Sequence, residues 1–148
     1  MKNNEDKSIC LACTNNKTCC ETMGCHLSPK DLKEGVNFKS LKSLLSSGNY
    51  AVDWWEGDVM GEDRRGQSHY LRARNVRESA YCGSWGGVCV LLTDQGCSLS
   101  FSERPFGGKA VIPSKSGECP TIYSKEQSAK DWYQYNDLIL DVVNRLDL

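Results

Sequence analysis

Long apolar runs are missing from this chain of 148 residues. No stretch approaches the roughly 18 consecutive apolar residues that a membrane-spanning helix needs. The first ten residues, MKNNEDKSIC, also lack the apolar segment of a secretory signal. We therefore expect a cytoplasmic protein without a membrane partner.

An excess of charge of one sign is missing as well. Lys and Arg together number 18 and Asp and Glu 19, so the formal net charge is −1. One stretch near Tyr70 is basic, but acidic residues accompany it, and a solvated strand face is its simplest interpretation. This stretch contains Arg64, Arg65, Arg72, Arg74 and Arg77. We expect no nucleic-acid partner, whereas a protein partner and the oligomeric state stay open.

Familiar catalytic motifs are absent too. The sequence contains no GxxxxGK, HExxH or GxSxG pattern. Its two histidines leave little scope for a Cys–His nucleophile pair. His69 lies inside a predicted strand and is interpreted as a surface residue, and the tryptophans Trp54, Trp55 and Trp85 as core packing. The sequence predicts no catalytic residue.

Cysteine, in contrast, is abundant. Five of the nine cysteines fall in CLACTNNKTCCETMGC, residues 10–25. Disulfides, redox chemistry and metal ligation compete to explain them. An odd total leaves one thiol over, adjacent cysteines make strained disulfides, and disulfides are rare in a reducing cytoplasm. None of these objections applies to metal ligation, which is therefore the favoured interpretation.

The spacing of the cysteines supports metal ligation. In Cys10-x2-Cys13 the two intervening residues form a tight turn, so that both sulfurs reach one ion. The loop continues with Cys19, Cys20 and Cys25. Zinc takes four such ligands at about 2.3 Å, and iron–sulfur clusters are also held by Cys thiolates. The loop therefore indicates a soft or borderline metal without saying which one.

Four more cysteines follow downstream. Cys97 and Cys119 lie in turn-like segments that suit a ligand, whereas Cys89 lies in the apolar run VCVLL and resembles an ordinary buried thiol. Cys82 is undecided. His26, next to Cys25, is expected to face solvent or to support a ligand rather than to bind metal directly.

The predicted fold class is α+β, a small single domain over 1–148 with a loose tail at 1–9. Its parts are a short antiparallel sheet, a long C-terminal helix and the cysteine-rich metal-binding loop. Ser28 and Pro29 open a short helix that Gly35 ends, and a second helix spans 37–47. Strands are predicted at 50–55 and 68–74, with Leu71 and Ala73 on one face of the second.

The region after these strands is less regular. The apolar run 87–92 ends in a turn, and 97–120 is irregular. The last helix runs from a cap at Ser124 to Leu146. Its apolar stripe is expected to pack on the sheet. This stripe consists of Trp132, Tyr135, Ile139, Val142, Val143 and Leu146.

Three segments in order carry a family resemblance: CLAC…CC…C, SPKDL and GVCVLLTDQGCSLSFSERPFG. They resemble the zinc- or iron-chelating domain family of cysteine-cluster proteins, the CxxCxxCC type. That family continues with Cys-x-x-Leu, Gly-Cys-x-(Ile/Leu) and Arg-Pro-x-x-Cys, which here match Cys89 with Leu92, Gly96-Cys97 and Arg104-Pro105. The family's last cysteine falls on Gly108; Cys119 is a candidate substitute, and without it a site of this family type would be one ligand short.

The resemblance implies binding of a metal or an iron–sulfur cluster, and it adds Cys89 to the ligands. The predicted ligands are Cys10, Cys13, Cys19, Cys20, Cys25, Cys89, Cys97 and Cys119. We expect zinc, with an iron–sulfur cluster in electron transfer or in a protein-modifying enzyme as the alternative, because flagellin lysine methylases share the pattern. A third hypothesis is a thiol redox sensor with Cys19 or Cys20 unligated.

Overall fold

The computed structural model describes residues 25–62, 66–83, 87–93, 96–99, 101–109 and 123–148. At 96, 97, 101, 108 and 109 it describes the backbone only. The predicted tail 1–9, Arg64, Arg65 and Trp85 lie outside these ranges. The α+β fold class is confirmed, since a short antiparallel sheet packs against helices and a long helical segment ends the chain.

Two helical segments near the start of the described chain lie where the sequence predicts them. Ser28 and Asp31 form a capping box around a 3-10 helix, Pro29–Asp31, in which the Ser28 N–H donates to the Asp31 carboxylate at 2.8 Å. Helix α1, Phe38–Ser46, begins after Asn37, whose side-chain oxygen accepts from the Ser40 N–H at 2.9 Å. The predicted N-cap at Ser28 and the predicted second helix are thus confirmed.

Two strands form the centre of the sheet. Strand β1, Tyr50–Trp55, pairs antiparallel with β2, Ser68–Ala73, in a register that sets Tyr50 opposite Ala73. Aromatic and β-branched residues in β1 favour this pleated arrangement. Both strands lie where the sequence predicts them.

Two further segments widen the sheet, and neither was predicted. On the outer side of β2, residues 25–27 pair antiparallel, with the Leu27 N–H donating to the Leu71 carbonyl at 2.9 Å. On the outer side of β1, Tyr81 pairs parallel with Val52. The order across the sheet is therefore 80–82, β1, β2, 25–27.

A hairpin and short helices follow the sheet. Strands β3, Leu92–Thr93, and β4, Gly96–Cys97, pair antiparallel. A 3-10 helix, Phe101–Glu103, and the short helix α2, Phe106–Lys109, come next. The prediction that 97–120 is irregular is wrong for these residues, and 110–122 lie outside the described ranges.

The C-terminal helical segment has three parts. Helix α3, Lys125–Trp132, begins at the predicted cap, where the Ser124 hydroxyl oxygen accepts from the Gln127 N–H at 3.1 Å. A 3-10 turn, Tyr133–Tyr135, leads into α4, Asn136–Arg145. The predicted long helix is confirmed in extent, with this turn at its middle.

The main core lies between the sheet and helices α1, α3 and α4. The predicted apolar stripe supplies much of it, because Trp132, Ile139, Val142 and Val143 are buried. The Leu27 carbonyl accepts from the Trp132 indole N–H and the Ser128 hydroxyl, both at 2.8 Å, which fixes α3 to residues 25–27. Within the described ranges, no helix combines the length and apolar character needed to span a bilayer.

Strand β2 corrects two sequence interpretations. All six of its residues are buried, so the supposed solvated face carrying Tyr70 and Arg72 is wrong. Arg72 has 0% of its surface exposed, and His69, interpreted as a surface residue, has 2%. Both stay buried because other groups of the chain satisfy their polar atoms, as described below.

Candidate metal centre

Three of the eight predicted ligands, Cys25, Cys89 and Cys97, fall within the described ranges. The other five, Cys10, Cys13, Cys19, Cys20 and Cys119, lie outside them. The geometry of the proposed centre is therefore built from these three positions and the elements that hold them.

Cys25 is fixed at the outer edge of the sheet. Its carbonyl accepts from the Ala73 N–H at 2.8 Å, and the pairing of His26 with Arg72 sets Cys25 opposite Ala73. The half-buried Cys25 packs against a small apolar cluster of Ala73, Cys89 and Leu91. The sheet thereby places the last cysteine of the N-terminal loop beside a downstream cysteine.

Cys89 belongs to the same apolar cluster, but its backbone lies on the other side of the chain that continues β2. It pairs antiparallel with Asn75, and the Val90 N–H donates to the Arg74 carbonyl at 2.9 Å. Cys89 is buried. Ala73 and Asn75 are two residues apart in an extended segment, so their side chains, and those of Cys25 and Cys89 opposite them, lie on one face.

The hairpin brings the backbone of Cys97 into this region. Cys97 lies opposite Leu92 in the register of β3 and β4. One residue later, the Ser98 N–H donates to the carbonyl of Leu91, a member of the apolar cluster, at 2.7 Å. The elements that carry Cys25, Cys89 and Cys97 therefore meet at one end of the sheet.

A second contact joins the downstream region to the segment after the cysteine loop. The Phe106 N–H donates to the Asp31 carboxylate at 2.9 Å, and the Gly107 N–H donates to the His26 carbonyl at 2.9 Å. A Cβ at Gly107 would collide with that carbonyl, so the close approach requires glycine. Helix α2, which follows the Arg104-Pro105 element, thus holds residues 25–31 in place.

His26 is buried, so of its two expected roles, facing solvent or supporting a ligand, the first is wrong. Because His26 pairs with Arg72, its side chain lies on the opposite face from Cys25. Its ring meets Tyr70 edge-on, with 5.4 Å between centroids. Burial lowers the pKa of His26, which keeps the imidazole neutral. His26 is therefore not placed to bind a metal together with Cys25.

Cys82 lies at the other edge of the sheet. Its N–H donates to the Val52 carbonyl at 3.0 Å, and its thiol donates to the Gly83 carbonyl at 3.4 Å. Three inter-strand spacings, about 14 Å, separate this edge from residues 25–27. Cys82 therefore cannot share an ion with Cys25, and it provides a natural control.

The described residues do not complete a metal site by themselves. Among them, no three Cys, His, Asp or Glu side chains are grouped to hold an ion. The donor chemistry nevertheless fits, since Cys25 and Cys89 offer sulfur from one face of the sheet and thiolates suit zinc or iron–sulfur clusters. They fit a centre that takes its remaining sulfurs from elsewhere in the chain.

Sequence reasoning missed a polar network around Arg72. The guanidinium donates to Asp53 and to Glu78, both at 2.8 Å, and to the Cys82 carbonyl at 2.9 Å. Burial alone would lower the pKa of Arg72, but the bonds to Asp53 and Glu78 outweigh burial and raise it. One sequence signal for this network was available. Asp53 is a carboxylate within the aromatic strand β1, and the next strand, β2, carries Arg72.

A second polar network surrounds His69. Asn136 Oδ1 accepts from the His69 backbone N–H and lies 2.8 Å from ring Nδ1, so Nδ1 carries the proton. Nε2 then accepts from the Tyr81 hydroxyl at 3.1 Å. Burial lowers the pKa of His69 more than its bond to Asn136 raises it. No local sequence pattern signals this contact with α4.

No protein-family model matches the sequence, and searches of curated proteins and of solved structures also find no match. The resemblance to the zinc- or iron-chelating domain family therefore rests on the spaced motifs alone.

Proposed function

We propose that the protein binds zinc through cysteine thiolates, and that the metal ties the N-terminal loop to the region 89–119. The zinc has a structural role that serves interaction or regulation. The observation that carries the proposal is the meeting of Cys25 and Cys89 on one face at one end of the sheet. These residues lie far apart in sequence, so a shared centre would couple metal binding to folding.

Their surroundings favour this role over a solvent-exposed thiol pair. Cys89 is buried and Cys25 half-buried among apolar groups. Metal ligation stabilises thiolates that such surroundings would otherwise disfavour. The proposed compartment is the cytoplasm, where thiols stay reduced.

Metal analysis of the protein purified without oxygen tests the proposal. The wild type should be colourless and contain bound zinc. Cys25→Ser and Cys89→Ala should each reduce metal retention by at least the roughly 10- to 100-fold seen when groups supporting a ligand are removed. Circular dichroism checks that each variant is folded.

Cys82→Ser is the matched control, because Cys82 lies at the opposite edge of the sheet. It should retain metal like the wild type. A wild type without metal, or a Cys82→Ser variant as depleted as the other two, would contradict the proposal. Brown protein containing iron and sulfide would show that the iron–sulfur alternative, and not zinc, is the bound centre.

A further inference from the structure

A chain of hydrogen-bonded side chains joins α4 to the edge segment 80–82. Asn136 Oδ1 accepts from His69 Nδ1 at 2.8 Å, and His69 Nε2 accepts from the Tyr81 hydroxyl at 3.1 Å. The His69 and Tyr81 rings are stacked, with 5.8 Å between centroids and 22° between planes. The Tyr81 hydroxyl is therefore held against a nitrogen base whose tautomer Asn136 fixes.

The phenolic proton of Tyr81 has a defined acceptor. Burial raises the pKa of Tyr81, so its hydroxyl keeps the proton at neutral pH. Burial also lowers the pKa of His69, although Asn136 and the nearby Asp53 carboxylate oppose this shift, so the imidazole is neutral. Loss of an electron turns a phenol into a strong acid. A neutral base in hydrogen-bond contact can take up the released proton, which makes Tyr81 easier to oxidise than a tyrosine without such a base.

Trp54 connects this pair to the surface of the protein. Its ring centroid lies 5.1 Å from that of Tyr81 and 6.3 Å from that of His69. Trp54 is half-buried, and its indole N–H donates to the exposed Glu56 at 3.1 Å. A Cβ at Gly83 would lie 3.0 Å from the indole, so this glycine lets the chain approach the ring closely. An electron can leave Tyr81 through this aromatic contact while His69 stays buried.

We infer that Tyr81 is a redox-active tyrosine that gives one electron to an oxidising organic radical and its proton to His69. The O–H bond of Tyr81 breaks, an N–H bond forms at His69 Nε2, and the organic radical becomes an anion. The products on the protein are a neutral tyrosyl radical and an imidazolium, whose charge the Asp53 carboxylate favours. Residues 80–82 and 25–27 form opposite edges of the sheet, so the inference does not depend on the proposed metal centre.

Flash oxidation of the full chain by photogenerated tris(bipyridine)ruthenium(III), which stands in for the organic radical, tests this inference. Electron paramagnetic resonance measures the tyrosyl radical, and transient absorption measures its rate of formation. Tyr81→Phe should lose most of the wild-type signal. Tyr133→Phe is the matched control, because Tyr133 is also half-buried but its hydroxyl donates to the carboxylates of Asp58 and Glu62. It should keep the signal, whereas a full signal in Tyr81→Phe would overturn the inference.

His69→Gln tests the role of the base, because an amide can accept the hydrogen bond but not the proton. The rate of radical formation should fall about 100-fold, a contribution typical of a positioned proton acceptor. Circular dichroism checks that the variant is folded, and all variants carry the same cysteines, so thiol oxidation contributes equally. In the wild type, heavy water should slow the reaction, a measurement that does not depend on any variant. An unchanged rate in folded His69→Gln or in heavy water would overturn the inference and make the contact of His69 with Tyr81 purely structural.

Discussion

The two faces of the sheet differ in what surrounds their buried side chains. On the face that carries Arg72, groups of the chain itself satisfy the guanidinium, which donates to Asp53, Glu78 and the Cys82 carbonyl. On the other face, at the cysteine end, Cys25 and Cys89 pack among apolar side chains. The Arg72 guanidinium is neutralised by carboxylates of the chain itself, whereas in our proposal Cys25 and Cys89 bind metal.

The largest effect is expected from breaking the Arg72 network. Arg72→Met leaves the buried carboxylate of Asp53 and the partly buried carboxylate of Glu78 without their cation, which should cost about 3–5 kcal/mol in the free energy of unfolding. Chemical denaturation measures this loss. Arg145→Met is the control. The Arg145 Nε lies 3.0 Å from the Asp141 carboxylate, but both side chains are exposed, so this ion pair should contribute under about 1 kcal/mol.

An equal, small loss in both arginine variants would contradict the role given to the Arg72 network. Adding Asp53→Asn to Arg72→Met removes one of the stranded charges. This double variant should regain part of the lost stability.

A smaller effect should come from the contact that holds residues 25–27. Gly107→Ala introduces a Cβ where the His26 carbonyl lies, and relieving this overlap should cost about 1–3 kcal/mol. Because Cys25 lies next to His26, metal retention should fall as well. Thermal unfolding and metal analysis measure the two effects.

Lys42→Ala, on an exposed position of α1, is the control for this substitution. It should leave both properties nearly unchanged. Unaltered stability and metal content in Gly107→Ala would show that α2 does not hold the Cys25 segment in place.

The elements that could be predicted are those with local signals. The strand at 50–55 and the caps Ser28 and Ser124 are set by side chains close in sequence, and the structure confirms them. Pairing of 25–27 with β2 has no such signal, because three residues show no periodicity. It depends on long-range contacts such as that of Leu27 with α3.

The two errors in β2 share one cause. Alternation in β2 predicts which residues share a face, but not whether the rest of the chain covers that face. Arg72 and His69 look like surface residues until Glu78 and Asn136 are brought against them. For the candidate site, the sequence supplied the cysteine ligands as a hypothesis, whereas the separation of Cys25 from Cys82 needed the order of the sheet.

The smallest effect concerns pH. The pKa of His69 is lowered in the folded protein, so the unfolded chain takes up the proton first as the pH falls below about 6.5. His69 thus favours the folded state above that pH, and this contribution declines as the pH falls toward the lowered pKa. His69→Gln should lack this part of the dependence.

Urea unfolding of the wild type and of His69→Gln measures the difference in the pH dependence of their free energies of unfolding. The range is about pH 5 to 8, where histidine titrates. The pKa of His26 is also lowered by burial, but His26 is present in both proteins and its effect cancels in the comparison. Parallel stability curves would contradict a buried neutral His69.

X-ray absorption at the edge of the bound metal tests the central claim most directly. We predict a first shell of sulfur at about 2.3 Å for zinc, with fewer sulfurs in Cys25→Ser and an unchanged shell in Cys82→Ser. A shell of oxygen and nitrogen alone, or no metal bound to the folded wild type, would contradict the account.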